Sequence, residues 1–389
     1  MKTKFDIKIQ ELCNSYFIKE IIRNDWKPYL VGGCVRDYIM GKQPNDIDLI
    51  IVGCDKNELI NLLNKYGKSD LVGESFAVIK YNYNGEIYDI STPRTESKIG
   101  DGHKGFEIIS NKNISLEMDL FRRDITINSI AMDLDKNFID PFNGINDIKN
   151  KIIKITNKDA FIDDPLRILR VCRFCSRFDF NIEYNTDILM KQLSFKICEL
   201  SQERIIEEWN KAMEHAKKGG VAIMQKYINL LFEYNMIEQM FPELKHVKKI
   251  TVDVLENSII FLDLFAPEII KASKSKFNNL KFSNNLINEM IFLQEFSLNG
   301  GEIDSVYNLA LLKQKYNIDY ILIAQYVEHI NNIFGKNSLD EKFASAFLKY
   351  CDDGFEVKGD DLIKKGFKGY QIQLEKERLE NERFRNEYY

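Results

Sequence analysis

The sequence predicts an α+β fold, and three observations predict it. Residues 1 to about 150 mix short apolar runs ending in glycine with helical stretches. Asn84-Gly85 lies between two runs of strand-forming residues. After about residue 150, apolar residues recur at helical spacing almost throughout. The expected architecture is a small mixed or antiparallel sheet with helices, then an all-α remainder. The segments it suggests are a head over 1–150, a helical neck over 151–218, a helical body over 219–290 and a helical tail over 291–389. A chain of 389 residues is long enough for several such parts.

Taken in order, "PYLVGG" and "DIDLIIVG" read as short buried strands, each closed by glycine. "NELINLLNKYG" reads as a helix closed by Gly67. "SFAVIKYNYNGEIYDIST" reads as a hairpin, because Asn84 and Gly85 tolerate the positive φ of a two-residue turn. "DDPLRILRVCRFCSRF", "ERIIEEWNKAMEHAKKGG" and "GVAIMQKYINLLFEYNMIEQM" read as helices, with Gly219-Gly220 a joint. The charge-rich end, "LEKERLENERFRNEYY", reads as a solvated helix or a frayed tail.

Composition narrows the class. Hydrophobic content of 44% and charge of 29% are ordinary for a globular protein. The first residues carry no long apolar stretch, so no signal peptide is expected, and no run reaches the length of a membrane helix. Seven cysteines, odd in number and irregular in spacing, suit a reducing, cytoplasmic setting. Cys172 and Cys175 form a lone C-x-x-C in a helical context and read as core thiols. The net charge of −5 argues against a nonspecific nucleic-acid binder. The lysine-rich stretches 245–249, 271–281 and 364–368 read as solvated faces unless another signal points to nucleic acid.

The chemistry concentrates in "GGCVRDYIMGKQPNDIDLI", residues 32–50. On a strand, Asp46 and Asp48 would share a face, with Ile47 opposite. Two adjacent carboxylates repel and one pKa must rise unless a cation intervenes. A hard divalent ion such as Mg²⁺ takes one or two carboxylates plus substrate phosphates, and removes the conflict. The plain alternative is a solvated strand end. Gly32-Gly33 fall between strand and helix, where bare amides can approach phosphate oxygens. Arg36, in the Arg36-Asp37 pair, lies one turn into that helix and can reach the same phosphates. Asp89, on the second arm of the hairpin, is a candidate third acid. This is neither a Walker loop nor a dinucleotide fingerprint.

Further on, Arg122, Arg123 and Asp124 precede a β-rich run. The arginines could clamp a triphosphate and Asp124 could receive a ribose hydroxyl; the alternative is a surface arginine pair bridged to Asp119 or Asp124. Asp164, Arg167, Arg170 and Arg173 recur every three residues along one drifting helix face, with Pro165 in the first turn. A salt-bridged surface would explain that spacing. Base selection would explain the residue types. A carboxylate only accepts and a guanidinium only donates. Cytosine and adenine each present an exocyclic amine beside a ring-nitrogen acceptor, whereas uracil and guanine place a carbonyl where the amine would be. Asp164 with Arg167 could therefore select C and A without a template. A mismatched contact would cost about 1–3 kcal/mol.

These motifs together resemble the class II tRNA nucleotidyltransferase and bacterial poly(A) polymerase family, within the DNA polymerase β-like superfamily. "LVGGCVRDYIMGKQPNDIDLIIVG" is similar to its first motif and "RRDITINSIAMD" to its second. "DPFNGINDIKNKIIK", "DDPLRILRVCRF" and "ERIIEEWNK" are similar to its linking, nucleotide-choosing and neck motifs. The likeness runs in order over about residues 25–215. Beyond that, "VKGDDLIKKGFKGYQI" is similar to the tail element of CCA-adding enzymes. The family usually has Glu-Asp where this chain has Asp163-Asp164.

The resemblance implies a polymerase β-like head and addition of the 3′ CCA end to tRNA from CTP and ATP. It implies Mg²⁺ on Asp46 and Asp48, a nucleotide contact for Arg123 and sugar recognition by Asp124 and Asn128. It also implies recognition of the tRNA acceptor arm and 3′ end by the helical remainder. "PRTESKIGDGHKGF", residues 93–106, resembles the segment associated with switching from C to A addition. Rival readings are an A-adding or CC-adding enzyme, a poly(A) polymerase, a catalytically silent RNA-binding relative, or a small-molecule nucleotidyltransferase. The four histidines, 103, 215, 246 and 329, are isolated, so no phosphohydrolase activity is expected.

Overall fold

The computed structural model describes residues 3–44, 46–72, 78–98, 106–241, 250–264, 282–299, 306–334 and 341–389. The chain forms two compact units, Met1–Glu208 and Trp209–Tyr389.

The first unit opens with helices α1 (Lys4–Asn14) and α2 (Tyr16–Arg23). Strand β1 (Lys27–Val31), helix α3 (Gly33–Ile39), strand β2 (Asp48–Val52) and helix α4 (Lys56–Leu63) follow. Then come β3 (Lys68–Val72), β4 (Val78–Tyr83), β5 (Glu86–Ser91), β6 (Arg94–Lys98) and β7 (Phe106–Ser110). After α5 (Leu116–Phe121), the short strands β8 (Ala131–Met132) and β9 (Phe138–Ile139) complete a seven-stranded sheet in the order β3-β4-β5-β2-β1-β8-β9. β2 lies at the centre, which explains its unbroken apolar run: Leu49, Ile50 and Ile51 are all buried.

Two pairings place the chemistry. β1 and β2 are antiparallel, so the glycine pair after β1 and the acids before β2 meet at one end of the sheet. β2 and β5 are parallel with Asp48 opposite Asp89, so these carboxylates share a face. The hairpin turns at Asn84 and Gly85, with φ of +53° and +90°. Residues 73–77 of the expected first arm lie outside those described.

The helix before β3 ends at Leu63, earlier than expected. Gly67 is glycine for another reason: a Cβ there would lie 2.4 Å from the Asn82 carbonyl oxygen. One face of the sheet is closed by α2, whose Phe17 ring packs 5.0 Å from those of Tyr81 and Tyr83. On the other, Leu120 of α5 packs with Val31, Ile50 and Ala131.

The unit continues through α6 (Gly144–Asn150), β10 (Ile152–Ile153), α7 (Lys158–Asp163), α8 (Leu166–Phe178), β11 (Asn181–Ile182), α9 (Tyr184–Leu193) and the start of α10 (Gln202–Gly219). Cys172 and Cys175 are buried in α8, as their helical context predicts. Gly220, φ +103°, separates α10 from the helix Val221–Glu233.

The second unit is helical wherever it has regular structure among the described residues. Its core is aromatic. Trp209 stacks on Phe261 at 4.8 Å, and Phe296, Phe343, Phe347, Tyr350 and Phe384 form a continuous cluster. The last helix, Tyr370–Glu387, is docked and not merely solvated. Phe384 is fully buried, and the buried Glu380 accepts from the Tyr350 hydroxyl at 2.9 Å and the Val357 amide at 2.7 Å. Four-residue charge spacing hid these inward positions. The lysine-rich stretches 245–249 and 271–281 lie outside the described residues. Among the described residues no helix is long and apolar enough to cross a membrane.

Candidate active site

A cleft of about 560 Å³ opens in the first unit. It is lined by Gly32, Gly33, Arg36, Asp48, Arg122, Arg123, Asp124, Asn128, Asp164, Arg167, Arg170 and Arg173, twelve of the positions singled out from sequence. Arg94, Leu166, Phe174 and Arg177 complete it. Arg36, Arg94, Arg122, Arg123, Arg167, Arg170, Arg173 and Arg177 make eight arginines against the three carboxylates Asp48, Asp124 and Asp164. That balance suits a polyanion.

Asp48 begins β2, and Asp89 stands across from it in an adjoining recess of about 160 Å³ that Asp48 and Arg123 also line. Burial, then the nearby Asp89, raise the Asp48 carboxyl to about 6, with Arg123 opposing and Asp46 adding to the rise. Asp46 precedes the strand in a bend and is exposed, so strand alternation does not set its direction as expected. It does not line the cleft. The donor chemistry fits a hard divalent cation. Among the described residues no three His, Cys, Asp or Glu side chains group as a complete metal site, so a bound ion would take phosphate or water oxygens as well.

The glycine turn is built for close approach. Gly32 has φ +71° and ψ −130°, a region open to glycine. A Cβ on it would lie 2.9 Å from Arg123 Nη1 and 3.8 Å from Asp48 Oδ2. Its own amide donates to the Ile130 carbonyl at 3.3 Å, so Gly32 does not offer the bare N–H expected of it. Arg36 is buried, donates from Nε to Asp37 at 2.8 Å and from Nη1 to Asn128, and lies over the Phe178 ring at 4.7 Å. Asp37 does not line the cleft; it braces Arg36 and stands 3.7 Å from Arg177. Burial and the neighbouring Arg36 lower Arg177 to about 10, leaving it charged at neutral pH.

The other wall is α8. Asp164 lies just before it and accepts the Leu166 amide at 3.3 Å, acting as a cap ahead of Pro165. Arg204 of α10 donates to both its oxygens, at 3.0 and 3.2 Å. Arg167 donates to the backbone carbonyls of Arg123 at 3.0 Å and Arg122 at 2.7 Å. Arg170 grips Asp124 through Nε at 2.9 Å and Nη2 at 2.7 Å. Asp124 also accepts from Asn128 at 3.1 Å. Burial would raise the Asp124 carboxyl, but Arg170 and these hydrogen bonds hold it well below the usual carboxylate range. Arg173 pairs at 2.7 Å with Glu208, which is 1% exposed.

Sequence reading missed Arg94, Arg177 and Phe174, and the bracing residues Arg204 and Glu208; it named Asp119 only as a surface bridge to the arginine pair. Arg177 follows Arg173 by one turn and Arg204 lies in the neck motif; those were the available signals. Asp163, whose residue type departs from the family pattern, ends α7 and does not line the cleft. Of the segment 93–106, the ends form the hairpin strands β6 and β7 while 99–105 lie outside the described residues.

Comparison with known proteins gives the family. The model of the poly(A) polymerase head domain matches residues 28–154. A second, described as "Probable RNA and SrmB- binding site of polymerase A", matches residues 179–248. The CCA-adding enzyme of Francisella tularensis subsp. novicida is 32% identical over 350 residues, covering 84% of this chain and 85% of that protein. The chain belongs to the CCA-adding enzyme family. A second CCA-adding enzyme, from Buchnera aphidicola subsp. Baizongia pistaciae, is 31% identical over 80% of this chain and 73% of its own. Among solved structures, the Bacillus stearothermophilus CCA-adding enzyme in complex with CTP covers 100% of this chain and 95% of its own with a TM-score of 0.71. At 20% identity that likeness speaks to the fold, and it is the α+β architecture expected from sequence. Members of this family are nucleotidyltransferases.

Proposed function

We propose that this chain completes the 3′ CCA end of tRNA from CTP and ATP, choosing each nucleotide without a nucleic-acid template. The observation that carries this reading is one cleft lined by Asp48, Gly32, eight arginines and the Asp164/Arg167 pair. Asp48 and Asp46, with Asp89 alongside, would hold Mg²⁺. When bound, the ion would lower the pKa of the attacking RNA 3′-hydroxyl and steady charge on the triphosphate. The hydroxyl gives up its proton to solvent as its oxygen attacks the α-phosphorus, the bond to the bridging oxygen breaks, and pyrophosphate leaves with the electron pair. The arginines of the cleft hold the triphosphate oxygens in line. Asp164 accepts from the exocyclic amine of C or A while Arg167 donates to the ring nitrogen. Arg204 keeps the Asp164 carboxylate aimed. The Arg170–Asp124–Asn128 network forms the wall where the ribose would rest.

The segment assignments above, head, neck, body and tail, are retained in this reading, with the helical remainder holding the acceptor arm by shape and backbone contacts. Work on tRNA with CTP and ATP would be cytoplasmic. A second reading, A-addition alone or poly(A) synthesis, draws on the match to the poly(A) polymerase head domain. The deciding experiment offers tRNA ending at the discriminator base, at C and at CC, with labelled CTP or ATP and Mg²⁺. Ordered C, C, A incorporation is expected. Addition of A only to the CC end, or long A tracts on unrelated RNA, would replace the first reading with the second.

A further inference from the structure

Asp119 is a buried acid that the chemistry above does not use. It sits in the last turn of α5 and is 0% exposed. Its Oδ1 accepts from Arg122 Nε at 2.9 Å and from the Arg94 backbone amide at 3.3 Å. Its Oδ2 accepts from Arg123 Nη2 at 3.1 Å. One carboxylate therefore gathers the side chains of two consecutive arginines and ties down the start of β6. Consecutive residues leaving a helix do not naturally face one way, so their convergence on the cleft needs a common anchor.

Arg123 is the more telling of the two. Its Nη1 lies against Gly32, beside Asp48, where a Cβ would reach within 2.9 Å of it. Its buried Nε–H has no acceptor, so the protein does not saturate this guanidinium. Arg122 is shared between Asp119 and Glu96, the latter at 2.7 Å.

We propose that Asp119 is a positioning residue, which fixes Arg122 and Arg123 as a pair aimed into the cleft so that they grip the triphosphate of the incoming nucleotide. This rests on the nucleotidyl-transfer reading above. The bridge that sequence reading set against a functional role is, on this view, the device that makes the arginines functional.

The sign of the effect separates positioning from simple charge. Removing a carboxylate makes the cleft more positive, and Coulomb's law alone would then tighten the binding of an anion. Loss of positioning weakens it. The test measures binding of inorganic tripolyphosphate with Mg²⁺ by calorimetry, and KM for CTP and ATP on tRNA, in wild type and Asp119→Asn. Affinity should fall and KM rise by roughly ten- to a hundredfold, with the tRNA dissociation constant held within about twofold because the site is local. Arg123→Gln should lose a similar amount, and the double variant no more than the single ones. If Asp119→Asn does not fold by circular dichroism, Asp119→Glu, which keeps the charge but displaces it by one methylene, is expected to weaken tripolyphosphate in the same direction. Unchanged or tighter tripolyphosphate binding in a folded variant overturns the proposal. If wild type itself neither binds tripolyphosphate nor extends tRNA, the reading of the site fails first, and the positioning role with it.

Discussion

The two ends of the cleft treat aspartate in opposite ways. Asp48 faces Asp89, has Asp46 close by, and is raised to about 6 by burial and these neighbours. Asp124, also buried, faces Arg170 and Asn128 and is held well below the ordinary range. One end is short of a cation and the other is already neutralised. A buried carboxylate with no partner is costly, so an unmet demand of this kind marks where something else binds. The paired end, by contrast, forms a fixed wall.

Mutations break or sharpen this contrast in order of size. Asp48→Ala should reduce nucleotide incorporation by about a thousandfold or more, while tRNA binding in a gel shift stays intact. Near-normal incorporation would remove the metal assignment. Asp124→Asn should leave the half-buried Arg170 with only Glu208, 3.6 Å away, as a carboxylate partner and cost about 1–3 kcal/mol in a urea melt. Because the Asp124 carboxyl is depressed when folded, the stability it contributes is present above its unfolded value near 4 and lost as pH falls below it. A cost under about 1 kcal/mol would put the pair in the class of exposed ion pairs.

Arg167→Ala should relax discrimination against UTP by about ten- to a hundredfold, read as the ratio of labelled C to U incorporated. Unchanged discrimination would detach base choice from α8. The smallest effect is opposite in sign. Asp48→Asn should stabilise the metal-free protein by about 1–3 kcal/mol at pH 8. The wild-type carboxyl is raised on folding, so metal-free stability declines as pH climbs from about 4 through about 6 and then levels off. The amide variant should lack that decline, and added Mg²⁺ should stabilise wild type only. Superimposable melts across pH would place Asp48 in a solvated setting.

Much of this was legible in the residues themselves. Local rules sufficed for β1, β2 and the Asn84-Gly85 hairpin, since φ preference and alternation act within a few residues. Spacing alone left the candidate residues open to plain structural readings; the ordered resemblance of several motifs to one family singled them out. The docked last helix was not, because Phe384 and Glu380 are buried by partners distant in sequence, such as Tyr350. Gly67 was misread for the same kind of reason. Its side chain is excluded by a neighbouring strand and not by its own φ.

By itself, then, the order of residues determined which groups could do chemistry and which local elements carry them. It could not decide how each charge is balanced. Asp48 and Asp124 are the same residue in similar sequence surroundings, yet Asp48 has Arg123 and Arg36 only at a distance while Asp124 is hydrogen-bonded to Arg170. That difference comes from the β2–β5 register and from the packing of α8 against residues 122–128, contacts spanning more than forty positions. Electrostatic energy depends on distance in space, and only the tertiary fold sets those distances.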